Sequence, residues 1–214
     1  MIGIGIFPFF INGYVNALLA PLPVAYWAFE VSYWVVLPAI LLTVAAQRQG
    51  LRMADIGLDT RVFGTRNVLL LVLLCVAFCP ADLFVYKHTY EYLRTVFTGP
   101  AFFQYESIVP KADGWLRTGV AIYFALTAGV VEEVYFRGLF HKAVRGRPDA
   151  TGIYLVWSPL LFALIHWEGG LANVFTTYLF GLFAAAIFLA VRNLWPLITG
   201  HIYTDYVLFS QAPT

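Results

Sequence analysis

Long apolar runs govern what this 214-residue chain can become. A helix needs roughly 20 apolar residues to cross the hydrocarbon of a bilayer. Stretches of that kind recur at 2–20, 24–46, 67–86, 117–141, 152–168, 171–191 and 194–210. Most of them carry no polar face, so they are not the amphipathic helices of a water-soluble core. Charged residues make up 12% of the chain, about half the share usual in a soluble domain. That leaves too little polar surface to keep a body of this size in water. The expected fold class is therefore all-α: a polytopic transmembrane helix bundle of about 7–8 spans, folded as a single membrane domain over 1–214.

The first run contains Pro8, Asn12 and Asn16, which predict a bent or re-entrant segment. No Lys or Arg precedes it, so it does not read as a signal peptide. The two cysteines, Cys75 and Cys79, lie one helical turn apart inside an apolar run. They read as small apolar packing residues rather than as a metal or redox pair. A net charge of +1 gives no support to nucleic-acid binding; the lipid bilayer is the partner the composition calls for.

Two polar loops are expected, at 47–66 and 87–117, with a tight connection at 142–149. If loops alternate sides, Arg48, Arg52, Arg61, Arg66, Lys142, Arg145, Arg147 and Arg192 share one side. Lys87, Arg94, Lys111 and Arg117 share the other. The excess favours the first side as cytoplasmic.

A charge near the bilayer centre costs roughly 2.5–3.5 kcal/mol on insertion scales, so such residues mark function by default. The last spans keep several. The fourth run holds Glu132 and Glu133, which point about 100° apart on an α-helix, and Arg137, placed at i+4 to pair with Glu133. Glu132 is left facing another direction with no local partner, which suits either a reactive carboxylate or a polar gap. The fifth run holds His166; a lone histidine there reads more readily as hydrogen-bonded structure than as a catalyst. Glu168 is expected at the interface. The seventh holds His201 and Asp205, one turn apart on one face, with Thr199 and Gly200 small enough to admit a neighbouring helix. Together these supply carboxylate, imidazole, imidazole and carboxylate from three helices, a set suited to general base chemistry or to metal binding.

These residues resemble the CAAX protease and bacteriocin-processing family of glutamate-type intramembrane endopeptidases. Its EExxxR motif stands as Glu132-Glu133-Val134-Tyr135-Phe136-Arg137, its FxxxH motif as Phe162-Ala163-Leu164-Ile165-His166, and its HxxxN/D motif as His201-Ile202-Tyr203-Thr204-Asp205. The resemblance covers about 116–210; residues 1–115 match only as generic accessory spans and loops. It implies hydrolysis of a peptide bond by a Glu-activated water. The substrate would be a membrane-associated protein or peptide: a CAAX-like tail, a C-terminal sorting tag or a bacteriocin-type precursor. It further implies Glu132 as general base, His166 as a water holder, and His201 with Asp205 as the group that polarises the scissile carbonyl. Glu133 and Arg137 support the site. Asp205 is a departure, since the eukaryotic prenyl-protein members have Asn there. An ionised Asp cannot donate to an oxyanion, so Asp205 is expected to serve His201.

The resemblance implies no cofactor. A zinc enzyme is the metal-dependent alternative, with two His and Glu132 or Asp205 as ligands, although no HExxH pair occurs. A non-enzymatic membrane chaperone or immunity protein of the same fold, and a proton-relay transporter, are the other readings. The short chain favours a prokaryotic cytoplasmic membrane over a eukaryotic one.

Overall fold

The computed structural model describes residues 2–102 and 114–211, with the side chains of residues 2–7 left out. Seven helical rods make up the described chain. They are α1 (Ile2–Leu19), α2 (Pro23–Gln49), α3 (Val68–Val96), α4 (Trp115–Val144), α5 (Ala150–Leu164), α6 (Gly170–Val191) and α7 (Trp195–Gln211). Each coincides with one of the seven apolar runs, so the all-α membrane bundle is what forms. Four rods, α2, α3, α4 and the one ending at Val191, are long and apolar enough to cross a membrane by length and composition. The expected count of seven or eight spans is therefore reached in helices but not in candidate spans. At about 1.5 Å per residue, the 15 residues of α5 cover about 22 Å, short of the roughly 30 Å hydrocarbon.

Helix α1 runs without interruption past Pro8. One expectation needs correction. The polar loop expected from residue 87 is helix as far as Val96, and Lys87 and Glu91 form an exposed i,i+4 pair at 3.9 Å. Polarity ended the apolar run there, but polarity does not end a helix; the first strong breakers are Gly99 and Pro100. Residues 103–113 of that expected loop, which include Lys111, lie outside the described residues. The loop at 47–66 folds into a short 3₁₀ turn at Met53–Ile56 and a minimal antiparallel hairpin, β1 (Arg61–Val62) with β2 (Thr65–Arg66). Phe63 and Gly64 both have positive φ, 48° and 80°, the conformation of a two-residue primed turn.

A proline and two asparagines shape the rods locally. Pro38 has no N–H to give to the turn before it, and the preceding residues Ser32–Val36 form a π-helical segment. Asn67 caps α3, its side chain accepting from the Leu70 N–H at 2.9 Å. Asn193 accepts from the Trp195 N–H at 2.9 Å at the start of α7, and its amide donates to the Asp59 and Arg61 carbonyls.

The rods are not equally buried. In its most apolar window α4 is 61% buried, against 17% for α2 and for α3, so α4 is central and the other two face outward. Helix α7 packs against both α3 and α4, and α5 packs against α6. Small residues permit the closest crossings. A Cβ on Gly129 of α4 would lie 3.0 Å from the Ile202 backbone nitrogen of α7, and one on Gly181 of α6 would lie 3.1 Å from the Pro159 Cα of α5.

One end of the bundle collects the loop 47–66, the connection 142–149 and the turn after α6. Lys142 Nζ bonds Asp55 at 2.8 Å, Arg145 reaches it at 3.9 Å, Leu194 N donates to the Gly57 carbonyl, and Arg192 contacts His141. The cations assigned to one side from the sequence come from these three segments.

Candidate active site

The site begins with a helix irregularity. Helix α4 runs as α-helix to Glu132 and then as π-helix from Glu133 to Leu139; single-turn π segments of this kind recur at functional sites. Every residue from Val131 to Gly138 is buried. A Cβ on Gly138 would meet the Ile56 carbonyl at 2.8 Å, so the 3₁₀ turn presses directly on the π segment.

Within this segment Arg137 Nη1 lies 3.1 Å from Glu133 Oε1, and neither side chain has measurable exposure beyond 1%. The i,i+4 pairing read from the sequence is present. It is an ion pair by distance, though not aligned as a hydrogen bond. The guanidinium also stacks over Phe162 of α5, 4.2 Å from the ring centroid, a cation–π contact that offsets part of the loss of water.

Glu133 has a second partner that the sequence did not suggest. Its Oε1 accepts from His201 Nδ1 at 2.9 Å. Because a carboxylate accepts, His201 carries hydrogen on Nδ1, and its Nε2 is the nitrogen left for chemistry. That Nε2 lies 3.7 Å from Glu132 Oε2 and 3.6 Å from Asp205 Oδ2. The adjacent carboxylates, diverging by a helical step, meet the same ring at different atoms. Glu132 and Glu133 address opposite nitrogens of one imidazole ring, because the ring is wide enough to meet side chains diverging by a helical step.

The fifth apolar run, 152–168, is not α-helical to its end, and His166 lies beyond the rod. Helix α5 ends at Leu164, and His166 stands in the turn before a 3₁₀ segment at Trp167–Gly169. Its Nδ1 donates to the Phe162 carbonyl at 2.8 Å, satisfying one of the carbonyls orphaned at a helix end. That bond fixes the tautomer and aims Nε2 at Glu132 Oε2, 4.0 Å away. The FxxxH spacing is thus a C-terminal cap that orients the ring.

Glu132, His166, His201 and Asp205 all line one cavity of about 470 Å³, a volume within the usual range for ligand sites. Glu132 Oε2 has no hydrogen-bond partner among the described residues. Phe162 and Phe180 pack edge-on against the His201 ring at 6.1 and 5.4 Å, walling it on its apolar side. Tetrahedral zinc ligands at about 2.0–2.1 Å from the metal sit roughly 3.4 Å from each other. The separations of 3.7 and 4.0 Å exceed that, and no group of three His, Cys, Asp or Glu with metal-site spacing occurs among the described residues.

Sequence reasoning missed several polar residues. Asp82 of α3, 1% exposed, packs against Gly200; a Cβ on that glycine would lie 3.1 Å from the Asp82 Cβ. Glu30 and Asn12 are buried and line the cavity. Glu168, expected at the interface, is buried, its side chain pressed on Gly13 of α1. The rule that singled out Glu132, an acid inside an apolar run, applies equally to Glu30 and Asp82. Cys79 packs on α7, its thiol 3.6 Å from the Thr199 carbonyl, and both cysteines are free.

Residues 114–207 match the family model described as Rce1-like, type II CAAX prenyl endopeptidase. That stretch runs from the residue before α4 to within α7 and contains all three motifs. No curated protein and no solved structure matches the chain.

Proposed function

We propose that Glu132 activates a water for peptide-bond hydrolysis within the membrane, a reading supported by the match of residues 114–207 to the Rce1-like family model of CAAX prenyl endopeptidases. The observation that carries the reading is the facing of three acceptor-capable atoms. Glu132 Oε2 lies 4.0 Å from His166 Nε2 and 3.7 Å from His201 Nε2. A separation of that size between two acceptors fits one bridging water, donating to Glu132 and to His166.

The chemistry follows in balanced steps. The water oxygen attacks the scissile carbonyl carbon as one of its protons passes to Glu132. The carbonyl oxygen gains charge within reach of His201 Nε2, which stabilises it when protonated. Glu132 then returns the proton to the departing amine as the C–N bond breaks. Glu133 holds the His201 ring through Nδ1, and Arg137 balances Glu133. Asp205 is the charge partner of His201 on the Nε2 side. No step requires a metal. The substrate class is the tail or leader of a membrane-associated protein, and the cation-rich end of the bundle faces the cytoplasm.

Purified protein in proteoliposomes, given lipid-anchored reporter peptides, tests this by mass spectrometry. Glu132→Gln is expected to lower turnover by about 10²–10⁴-fold, the usual contribution of a general base, with the fold retained. Cleavage that is unchanged in Glu132→Gln would refute the assignment and favour a binding or chaperone role. Activity abolished by a strong chelator and restored by zinc would instead establish the metal-dependent alternative.

A further inference from the structure

We propose that Glu30 is a specificity-determining residue that receives a basic side chain, lysine or arginine, of the peptide held in the catalytic cavity; this rests on the endopeptidase reading above. Glu30 is 2% exposed and Asn12 is 4% exposed. Both line the cavity that also holds Glu132, His166 and His201. Glu30 Oε2 and Asn12 Oδ1 each lack a hydrogen-bond partner among the described residues.

The contrast with the catalytic carboxylates is chemical. Glu133 has Arg137 and His201, and Asp205 has His201. Among the described residues the groups that interact with Glu30 are the Asn16 amide and the Tyr26 and Tyr123 hydroxyls, none of which supplies positive charge. A carboxyl at membrane depth with no cation beside it among the described residues is costly and is kept where a partner arrives. The cavity is the route by which one can arrive. Its wall between the two ends is built from one face of α4, where Phe124, Ala128 and Glu132 succeed each other at i+4 steps. On α2, Glu30 and Trp34 share a face in the same way. An extended peptide with its scissile bond at Glu132 would therefore pass a side chain to an acceptor-rich, otherwise aromatic end. A long aliphatic stem with a terminal cation suits that end: the stem packs on the rings, and the head meets Glu30 Oε2 and Asn12 Oδ1.

The test uses the full chain in proteoliposomes and palmitoylated alanine-based peptides carrying one lysine, moved position by position, or norleucine at the same place. Two readouts separate this inference from the catalytic one. Binding is measured first on Glu132→Gln protein, where hydrolysis plays no part. Lysine is expected to be preferred over norleucine at one position by at least about tenfold, the scale of a charge-assisted hydrogen bond, and the preference is expected to fall towards one in Glu132→Gln/Glu30→Gln. The second readout needs no change at Glu30: a zero-length carbodiimide coupling should join the peptide lysine to Glu30. No lysine preference at any position, a preference that survives loss of Glu30, or coupling to a different carboxylate would each overturn the proposal. If peptides bind with this preference yet wild-type protein cleaves none of them, the subsite stands and the endopeptidase reading fails.

Discussion

At the scale of single residues, the site turns on which atom of each imidazole is already engaged. His166 spends Nδ1 on the Phe162 carbonyl and His201 spends Nδ1 on Glu133, so both present Nε2 to Glu132. Asp205 is then a flank of His201 Nε2 at 3.6 Å and not its orienting bond, since Glu133 orients the ring. This changes what Asp205 substitutions should do. Asp205→Asn keeps a polar side chain that can donate to the substrate oxygen, and it is expected to retain most activity. Asp205→Ala is expected to lose about 10²-fold in kcat/KM, the lower end of what removing one stabilising group costs. Equal losses in the two variants would show that the carboxylate itself is required. The Glu133–Arg137 pair sits deeper and is riskier to break: removing one partner leaves the other charge buried, at a cost of about 3–5 kcal/mol. Glu133→Ala is therefore expected to lower the thermal midpoint in detergent as well as activity, whereas Glu132→Gln is expected to lower activity alone.

Among the elements, the crossing of α4 and α7 sets the distance between the carboxylates and His201. Gly129 makes it possible, with an added Cβ falling 2.7 Å from Ile202 Cγ1 and 3.0 Å from the Ile202 backbone nitrogen. The side-chain atom can move, but the backbone atom cannot without shifting α7. Gly129→Ala should therefore force the helices apart, costing about 1–3 kcal/mol of stability as overpacking does. Catalysis should suffer more, by about tenfold or greater, because small misplacements of reacting groups are expensive. Gly119→Ala, on the same helix with open space around its Cβ, is the matched control and should be neutral or slightly stabilising. A Gly129→Ala enzyme as active as the Gly119→Ala enzyme would show that this crossing does not set the site.

For the whole molecule, the end formed by the loop 47–66 and the connection 142–149 is tied together through Asp55. Hydrogen bonds from the Lys142 ammonium, the Arg52 backbone N–H and the Arg52 side chain hold the Asp55 carboxyl well below the usual carboxylate range. A depressed folded-state value means that its stabilisation is fully present above the ordinary Asp value of about 3.9 and is lost as the pH falls below it. Between neutral pH and about pH 5 the contribution should be flat. Detergent-solubilised protein is expected to lose thermal stability on acidification below about pH 4, with a shallower loss in Asp55→Asn. Identical acid profiles for the two proteins would show that Asp55 does not fasten this end. The consequence reaches the site, because Ile56 of the same turn packs on Gly138 in the π segment that carries Glu133 and Arg137.

The sequence by itself determined the helices and named the candidate site residues. Apolar length depends on composition alone, so seven runs became seven rods, and the cost of charge in lipid singled out Glu132, His166, His201 and Asp205. It also paired Glu133 with Arg137, since i,i+4 neighbours meet on any helix. Tertiary structure decided the rest. It extended α3 through the polar segment to Val96, because a helix end is set by breakers and caps more than by polarity. It ended α5 at Leu164 and used His166 as a cap. It gave Glu133 to His201, a contact between residues 68 positions apart that no local period encodes. It brought Glu30 and Asn12 from the first two rods to the cavity that Glu132 and His201 line, where their carboxyl and amide groups acquire a meaning that their places in the sequence do not carry. Hydrophobic length is a local property of the chain, whereas the partner of a buried polar atom is fixed only when separate helices pack.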